Sequence, residues 1–123
     1  MASATLTLAR EDGTVVCEHV RVAATPLARA RGLVGRKGLS TAEGLLIRRT
    51  RAIHTHFMRF PIDVVFVDRD GTIVKLAEDL KPWRAASCRG GRDVLELAAG
   101  SAARTGLRVG DRIVLGAGAE SAA

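Results

Sequence analysis

Residues 54–74 read HTHFMRFPIDVVFVDRDGTIV and contain the strongest structural signals in the chain. The segment Ile62–Val67 is apolar except for Asp63, which predicts a buried β-strand. Residues 68–71 read DRDG and predict a turn, and residues 72–77 predict a strand that returns beside the first. The stretch therefore predicts a β-hairpin whose first strand carries one carboxylate inside an apolar run.

The segments on either side of this hairpin predict a small domain with more strands than helices. Further strands are predicted at residues 5–9, 14–23, 44–47, 53–58, 93–97 and 112–115, short helices from Thr25 and between Gly100 and Gly106, and an irregular segment at 81–91. Strands and helices do not alternate regularly, which argues against a doubly wound parallel sheet. We therefore predict one β-rich α+β domain over residues 1–116, with a mostly antiparallel sheet that curls like a barrel, two short helices, and a flexible tail at 117–123.

The composition indicates one small hydrophobic core. The chain has 123 residues, of which 47% are hydrophobic and only 3% aromatic, so aliphatic side chains must fill the interior. No apolar run is long enough to span a membrane, and the first residues alternate without the basic and apolar parts of a secretory leader. These features predict a cytoplasmic protein that does not insert into membranes.

The charge of the chain is strongly basic but dispersed. The net charge is +6 and the pI is about 10.6, which would favour a polyanionic partner if the positive charges converged. The arginines instead occur singly or in pairs, and few aromatic residues are interleaved with them, which disfavours nucleic-acid binding. We therefore expect the partner to be a protein or a small molecule.

Four separate motifs carry a resemblance to a known family. They are TPLARARGLVGR at residues 25–36, FMRFPIDVVFVDRDG at 57–71, VLELAAG at 94–100 and Gly110-Asp111. In order and spacing they resemble the family called domain of unknown function 192. The resemblance implies a single small β-rich α+β domain with no established activity, and a link to pilus-assembly or secretion components. The chain departs from many members at His56, where they carry an aromatic residue, and at Arg59-Phe-Pro61, where they carry Lys-Asn-Thr.

The histidines of the opening stretch are candidate ligands. His54 and His56 are two residues apart, so they would project from one face of a strand and could supply two ligands to zinc. A third ligand would have to be Cys88, His19 or a carboxylate, and no second closely spaced pair exists. The alternative is two ordinary hydrogen-bonded histidines. We predict no bound metal and no cofactor.

Asp63 has two interpretations. Because a buried carboxylate must be paired or hydrogen-bonded, it is a structural partner for an arginine or a backbone donor, and we predict that it supports the fold. Alternatively, it is a site carboxylate at the mouth of the barrel beside Arg59 and Arg84.

The loop around Trp83 is the third candidate. The single tryptophan of the chain either caps the core or forms a stacking surface together with Arg84. Cys88 follows closely, and it would act as a nucleophile only if His54 or His56 stabilised its thiolate. Whether Cys88 and Cys17 are paired or reduced is left open by the sequence.

The sequence predicts a domain that binds a ligand or a protein segment and is not an enzyme. The candidate binding residues are His54, His56, Arg59, Asp63, Trp83, Arg84 and Cys88. The alternative is a small hydrolase-type enzyme or a metal-binding protein that uses His54, His56, Asp63 or Cys88.

Overall fold

The computed structural model describes residues 5–23, 25 and 32–117. Within these residues the chain forms nine strands and one short helix. In chain order they are β1 (Leu6–Arg10), β2 (Val15–Ala23), β3 (Glu43–Ile47), β4 (Ala52–His54), β5 (Ile62–Val67), β6 (Ile73–Leu80), β7 (Ala85–Ser87), β8 (Asp93–Ala98), α1 (Ser101–Thr105) and β9 (Ile113–Ala117).

Seven of the strands form one mixed sheet, in the order β6-β5-β8-β3-β2-β1-β9. Neighbouring strands are antiparallel except for β2 and β3, which are parallel. The remaining two strands, β4 and β7, form a separate antiparallel ribbon. The prediction of a β-rich, mostly antiparallel domain is confirmed.

The sheet curls until its two edge strands meet at one corner. Thr72, just before β6, bridges to Arg112, just before β9. Beside this bridge, the Ile73 N–H donates to the Asp111 carbonyl at 2.8 Å. The approach requires a glycine at position 71, because a Cβ there would lie 2.9 Å from the Ile113 carbonyl oxygen. The sheet is thus a half-barrel that is joined at one end.

The central strands are covered on both faces. Side chains inside the curl form an inner core that includes Leu8, Val65, Leu95, Ala102 and Ile113. Side chains on the opposite face form an outer core that includes Leu33, Ile53, Val64, Phe66 and Val94. The outer core lies between the sheet and a layer made of the β4–β7 ribbon and its adjoining loops. Because strands β5 and β8 are buried on both faces, Asp63 and Glu96 within them are buried as well.

Asp63 joins three elements inside the inner core. It is 0% exposed, and its two carboxylate oxygens accept hydrogen bonds from the backbone N–H groups of Asp79 and Ala102, each at 2.9 Å. Gly100, the N-cap of α1, has no side chain that could satisfy the first N–H groups of the helix. Asp63 supplies that acceptor from β5, so its partners are backbone donors and not an arginine.

The structure describes one helix, whereas the sequence predicted two. The helix predicted between Gly100 and Gly106 is confirmed as α1. The helix predicted from Thr25 falls mostly on residues 26–31, which lie outside the described residues, and residues 32–35 form turns. Among the described residues no helix has the length and apolar character that crossing a membrane requires.

Three local predictions are corrected by the structure. The strand expected over 53–58 ends at His54, because the chain then turns around Thr55. The segment 81–91, expected to be irregular, contains β7, which pairs with β4. The last strand continues to Ala117, because residues 116 and 117 pair with β1; it therefore reaches one residue into the predicted tail. Residues 118–123 lie outside the described residues.

Candidate functional site

Thr55 holds together the loop after β4 and the loop before β7. Its side chain is buried; the hydroxyl donates to the Lys81 carbonyl at 2.6 Å and accepts from the Arg84 N–H at 2.9 Å. Its carbonyl accepts hydrogen bonds from the N–H groups of Met58 and Trp83, each at 3.1 Å. Since these bonds join residues far apart in sequence, Thr55 fixes the two loops relative to each other.

Four aromatic side chains lie together at the surface near Thr55 and form what we call the ring cluster: His54, His56, Phe57 and Trp83. The His54 and His56 rings stack with centroids 4.6 Å apart, and the His56 and Trp83 rings stack at 5.3 Å. The Phe57 ring packs edge-on against the Trp83 ring, with the ring centroids 4.7 Å apart. Phe57 is 66% exposed and Trp83 is 55% exposed, so much of their apolar surface faces solvent.

The backbone holds the two largest rings of the cluster in an uncommon conformation. Phe57 has φ 67° and Trp83 has φ 65°, in the left-handed region that bulky residues rarely adopt. Such a conformation costs roughly 1–3 kcal/mol per residue and persists only where the surroundings enforce it. The hydrogen bonds of Thr55 provide that enforcement. Because both rings are exposed, packing in the core does not explain why the backbone adopts this unfavourable conformation.

The other predicted site residues are distributed around this cluster. Arg59 and Arg84 are exposed beside it, and the Arg84 guanidinium donates to the Trp83 carbonyl at 3.3 Å. Cys88 follows the far end of β7 and packs against the outer core. Asp63 lies in the interior with both oxygens occupied, as described above. The structure thus brings His54, His56, Trp83 and Arg84 together, leaves Arg59 exposed two residues after Phe57, and separates Asp63 and Cys88 from the ring cluster.

The histidines and cysteines form no nucleophilic pair among the described residues. Nδ1 of His54 accepts the backbone N–H of His56 at 3.3 Å, and no hydrogen bond links either histidine to Cys88. Cys17 and Cys88 are both free thiols; Cys17 lies in the inner core, where burial raises the pKa of its thiol. A raised thiol pKa lowers the thiolate fraction and hence the reactivity.

Purified protein is expected to carry no stoichiometric zinc. The His54 and His56 rings stack instead of converging on one point, and no group of three His, Cys, Asp or Glu side chains suited to a metal is found in residues 5–23, 25 and 32–117. Elemental analysis of the purified protein is the measurement. One zinc per chain that is lost in His54→Ala would contradict this expectation.

A buried glutamate that the sequence interpretation missed lies below the ring cluster. Glu96 of β8 is 3% exposed, and its Oε1 has no hydrogen-bond partner. It lines a cavity of about 100 Å³, which we call the Glu96 pocket, together with Gly32, Leu33, Val34, Ile47, Thr50, Ala52, Ile53, His54 and Met58. Burial raises the pKa of the Glu96 carboxyl to about 7. His54 belongs to both the Glu96 pocket and the ring cluster.

The signal for Glu96 was present in the sequence. The segment 93–97 was interpreted as an alternating strand, which would place Glu96 on a solvent-exposed face. The structure covers both faces of β8, so this residue is buried against the outer core. Glu96 interrupts an apolar run, as Asp63 does, and the same argument could have selected it.

A second surface brings together four of the arginines that are dispersed in the sequence, beside two aspartates. Turns after β3, β5 and β7 surround a concavity of about 520 Å³ that we call the arginine concavity; it is lined by Arg49, Arg51, Asp68, Arg69, Asp70, Gly90, Gly91 and Arg92. Among the described residues, none of these four arginines forms an ion pair. Unpaired guanidinium groups around a concave surface attract anionic groups.

The fold and the site together define a small β-rich domain that presents aromatic rings and a basic concavity on its surface, with no assembled catalytic group among the residues described. The chain belongs to the DUF192 family, because the model of that family, described as "Uncharacterized ACR", matches residues 7–115. The resemblance seen in the four sequence motifs is thereby confirmed.

Two solved structures are similar to this chain along most of its length. A protein of unknown function from Novosphingobium aromaticivorans DSM 12444 is 26% identical, with a TM-score of 0.78 over 89% of this chain and 83% of that chain. A protein from Sinorhizobium meliloti 1021, described as a "putative transcription regulator", is 28% identical, with a TM-score of 0.79 over 94% of this chain and 97% of that chain. No curated protein matches the chain.

Proposed function

We propose that this protein is a non-enzymatic binding domain that holds an extended segment of a partner protein on the ring cluster. The observation that carries the proposal is the exposure of Phe57 and Trp83 on a backbone held in the left-handed region. Exposed aromatic rings on a rigid support bind partners with little loss of conformational entropy, and tryptophan is among the commonest anchors of protein interfaces.

The surface that adjoins the ring cluster suits an extended segment. In the β4–β7 ribbon, Ile53 and Ala86 pack inward, while Ala52 and His54 of β4 and their β7 partners are exposed. Because most of these exposed side chains are small, the exposed face of the ribbon is flat. It runs from the ring cluster at the His54 end to Arg51 and the arginine concavity at the Ala52 end, a distance of roughly 7–10 Å.

The charge along this path supports a partner segment that carries acidic residues. Arg59 and Arg84 flank the rings, and the arginine concavity lies at the other end of the ribbon. A segment with an apolar or aromatic residue followed by acidic residues would complement both ends. A pilus-assembly or secretion component is the kind of protein that the family resemblance suggests as the source of such a segment. A hydrolase that uses His54, His56, Asp63 or Cys88 is the weaker alternative, because both oxygens of Asp63 accept backbone hydrogen bonds in the interior and no described hydrogen bond joins Cys88 to either histidine.

Selection of displayed random peptides on the wild-type protein tests the proposal. We expect enrichment of peptides that pair an apolar or aromatic residue with acidic residues, and weaker binding of these peptides as salt is raised. Duplex DNA is the comparison ligand. Binding of DNA at physiological salt that persists in Trp83→Ala, with no peptide enriched, would contradict the proposal and indicate a nucleic-acid-binding protein.

Trp83→Ala is expected to weaken binding of a selected peptide by roughly 10- to 100-fold, corresponding to about 1–3 kcal/mol, while changing the melting temperature little. The reason is that the indole is mostly exposed and fills no core volume. In the wild-type protein, Trp83 emission should be red-shifted and quenchable by iodide, and it should shift when peptide binds.

Val109→Ala provides a matched control for Trp83→Ala, because Val109 is an equally exposed apolar residue away from the ring cluster. It should leave peptide affinity unchanged. A blue-shifted Trp83, whose removal costs roughly 3–5 kcal/mol of stability, would identify a core residue and contradict the proposed surface.

A further inference from the structure

The Glu96 pocket contains a buried carboxyl group that the fold leaves unsatisfied. Among the described residues, Oε1 of Glu96 is the one buried side-chain oxygen or nitrogen without a hydrogen-bond partner. Leaving such a group unpaired costs on the order of 1–3 kcal/mol, and more if it is ionised. By contrast, the other deeply buried carboxylate, Asp63, has a backbone donor on each oxygen. A donor for Oε1 of Glu96 must come from beyond the described residues, and a ligand can supply it.

The walls of the pocket restrict what that group can be. Most lining side chains are aliphatic, including Leu33, Ile47 and Ile53; the polar ones are Thr50, His54 and Glu96. The cavity of about 100 Å³ is large enough for a short aliphatic chain. The complementary ligand has an apolar stem and a hydrogen-bond donor at its tip.

We propose that the Glu96 pocket binds a primary amine at the end of an unbranched aliphatic chain, with the amine donating to Glu96 and the methylenes lying against the aliphatic walls. An ammonium group carries three donors and pairs with a carboxylate by a charge-assisted hydrogen bond. In residues 5–23, 25 and 32–117 no lysine or arginine pairs with Glu96, and the proposed amine takes the position of such a cation.

The geometry favours a lysine side chain of a partner as the source of this amine. His54 lines the Glu96 pocket and stacks in the ring cluster, so a segment bound on the rings passes the pocket entrance. One lysine of that segment can then enter while neighbouring residues stay on the rings. The choice of lysine rests on the proposed function, whereas the preference for an amine rests on the pocket alone.

Titration of ¹⁵N-labelled wild-type protein, followed by amide chemical shifts, tests the inference. The probes are n-butylamine, butyramide as the neutral analogue, Nα-acetyl-lysine N-methylamide as the lysine mimic, and 1,5-diaminopentane as a free diamine. We expect n-butylamine and the lysine mimic to produce saturable shifts at the amides of Val34, Ile53 and Met58. Butyramide is expected to bind at least tenfold more weakly.

Two variants locate the interaction. Glu96→Gln removes the carboxylate and should weaken n-butylamine at least tenfold. Val34→Phe keeps the carboxyl group but narrows the pocket, so it should also weaken n-butylamine binding at least tenfold. This second variant keeps the proposal testable if Glu96→Gln folds poorly. Val109→Ala, at an exposed position away from the ring cluster, should leave n-butylamine binding unchanged. Because n-butylamine is tested without any peptide, failure of the pocket and failure of the ring cluster are distinguishable.

Three outcomes would overturn the inference: no saturable shift with any amine, equal binding of butyramide, or full binding by Glu96→Gln. Binding of 1,5-diaminopentane without binding of the lysine mimic would support the amine chemistry and overturn the assignment to a partner's lysine.

Discussion

Between about pH 5 and pH 8 the free energy of unfolding is expected to fall by roughly 2–3 kcal/mol because Glu96 ionises inside the folded protein. Burial raises the pKa of this carboxyl from 4.5 to about 7 in the folded state. In this window the folded protein therefore binds a proton that the unfolded chain has released. Stability is highest when Glu96 is protonated in both states, and it decreases as pH rises through the folded pKa.

Other groups with shifted pKa values act outside this window. The Ser40 backbone N–H lowers the pKa of the Glu43 carboxyl, so the stability linked to Glu43 is lost below its unfolded value of 4.5. The Cys17 thiol has its pKa raised from 9.0 by burial, so its effect begins above pH 9. Glu96 is thus the group whose shifted pKa acts between pH 5 and pH 8, and comparison of the wild-type protein with Glu96→Gln isolates its contribution.

Urea denaturation of the wild-type protein and Glu96→Gln at a series of pH values measures this effect. The variant cannot ionise at this position, so its free energy of unfolding should vary much less with pH than that of the wild-type protein. The difference between the variant and the wild-type protein should therefore increase by roughly 2–3 kcal/mol in favour of the variant between pH 5 and pH 8. Glu78→Gln, at an exposed position on β6, is the matched control and should follow the wild-type curve. Parallel curves for wild type and Glu96→Gln would show that Glu96 is solvated.

Asp63→Ala is expected to lower the free energy of unfolding by roughly 3–5 kcal/mol. The substitution removes two hydrogen bonds to a carboxylate, each worth roughly 1.5–3 kcal/mol, and leaves the N–H groups of Asp79 and Ala102 without an acceptor. The N-terminus of α1 is affected most, because Gly100 offers no side-chain cap in its place. Asp63→Asn retains one acceptor and should cost less than Asp63→Ala.

Denaturant unfolding monitored by circular dichroism measures the loss, and hydrogen exchange locates it. In Asp63→Asn the amides of Asp79 and Ala102 should exchange faster than in wild type, while those of β1 should change little. Asp70→Ala is the control at an exposed turn position, and it should change stability by no more than about 0.5 kcal/mol. A similarly small effect of Asp63→Ala would contradict the role of Asp63 in joining β5, β6 and α1.

The two buried carboxyl groups play different physical roles in one sheet. Asp63 faces the inner core and is satisfied by backbone donors from the same chain. Glu96 lies on the adjacent strand, faces the outer core, and is satisfied by no described residue. We expect the first to stabilise the fold and the second to lower the free energy of unfolding at neutral pH. A buried carboxyl group that no described residue pairs is the better candidate for binding.

Local sequence patterns predicted most of the strands. The hairpin of β5 and β6 follows from an apolar run, a DRDG turn and a returning strand, all within 20 residues. The pairing of β1 with β2 follows in the same way from alternation around a turn at Gly13. These features depend on backbone geometry and on contacts between near neighbours, which the sequence specifies directly. The β7 strand was missed because three residues are too few to show a period.

The candidate site was only partly predictable. The sequence placed His54 and His56 together by their spacing, and it identified Trp83 as the single indole. It did not show that the rings would stack, because that contact depends on hydrogen bonds between Thr55 and residues up to 29 positions away. The arginine concavity was missed for the same reason, since three turns that are distant in sequence contribute to it.

The sequence by itself determined the periodicity of the strands, the turns between neighbouring strands, the membership of a family and the presence of a carboxylate within an apolar run. The tertiary structure alone decided which strand faces are covered, and therefore that Glu96 is buried and unpaired. It also decided that Asp63 caps a helix 39 residues away. The physical reason is that an alternating pattern distinguishes two faces of a strand, while burial of either face depends on which distant segments pack against it.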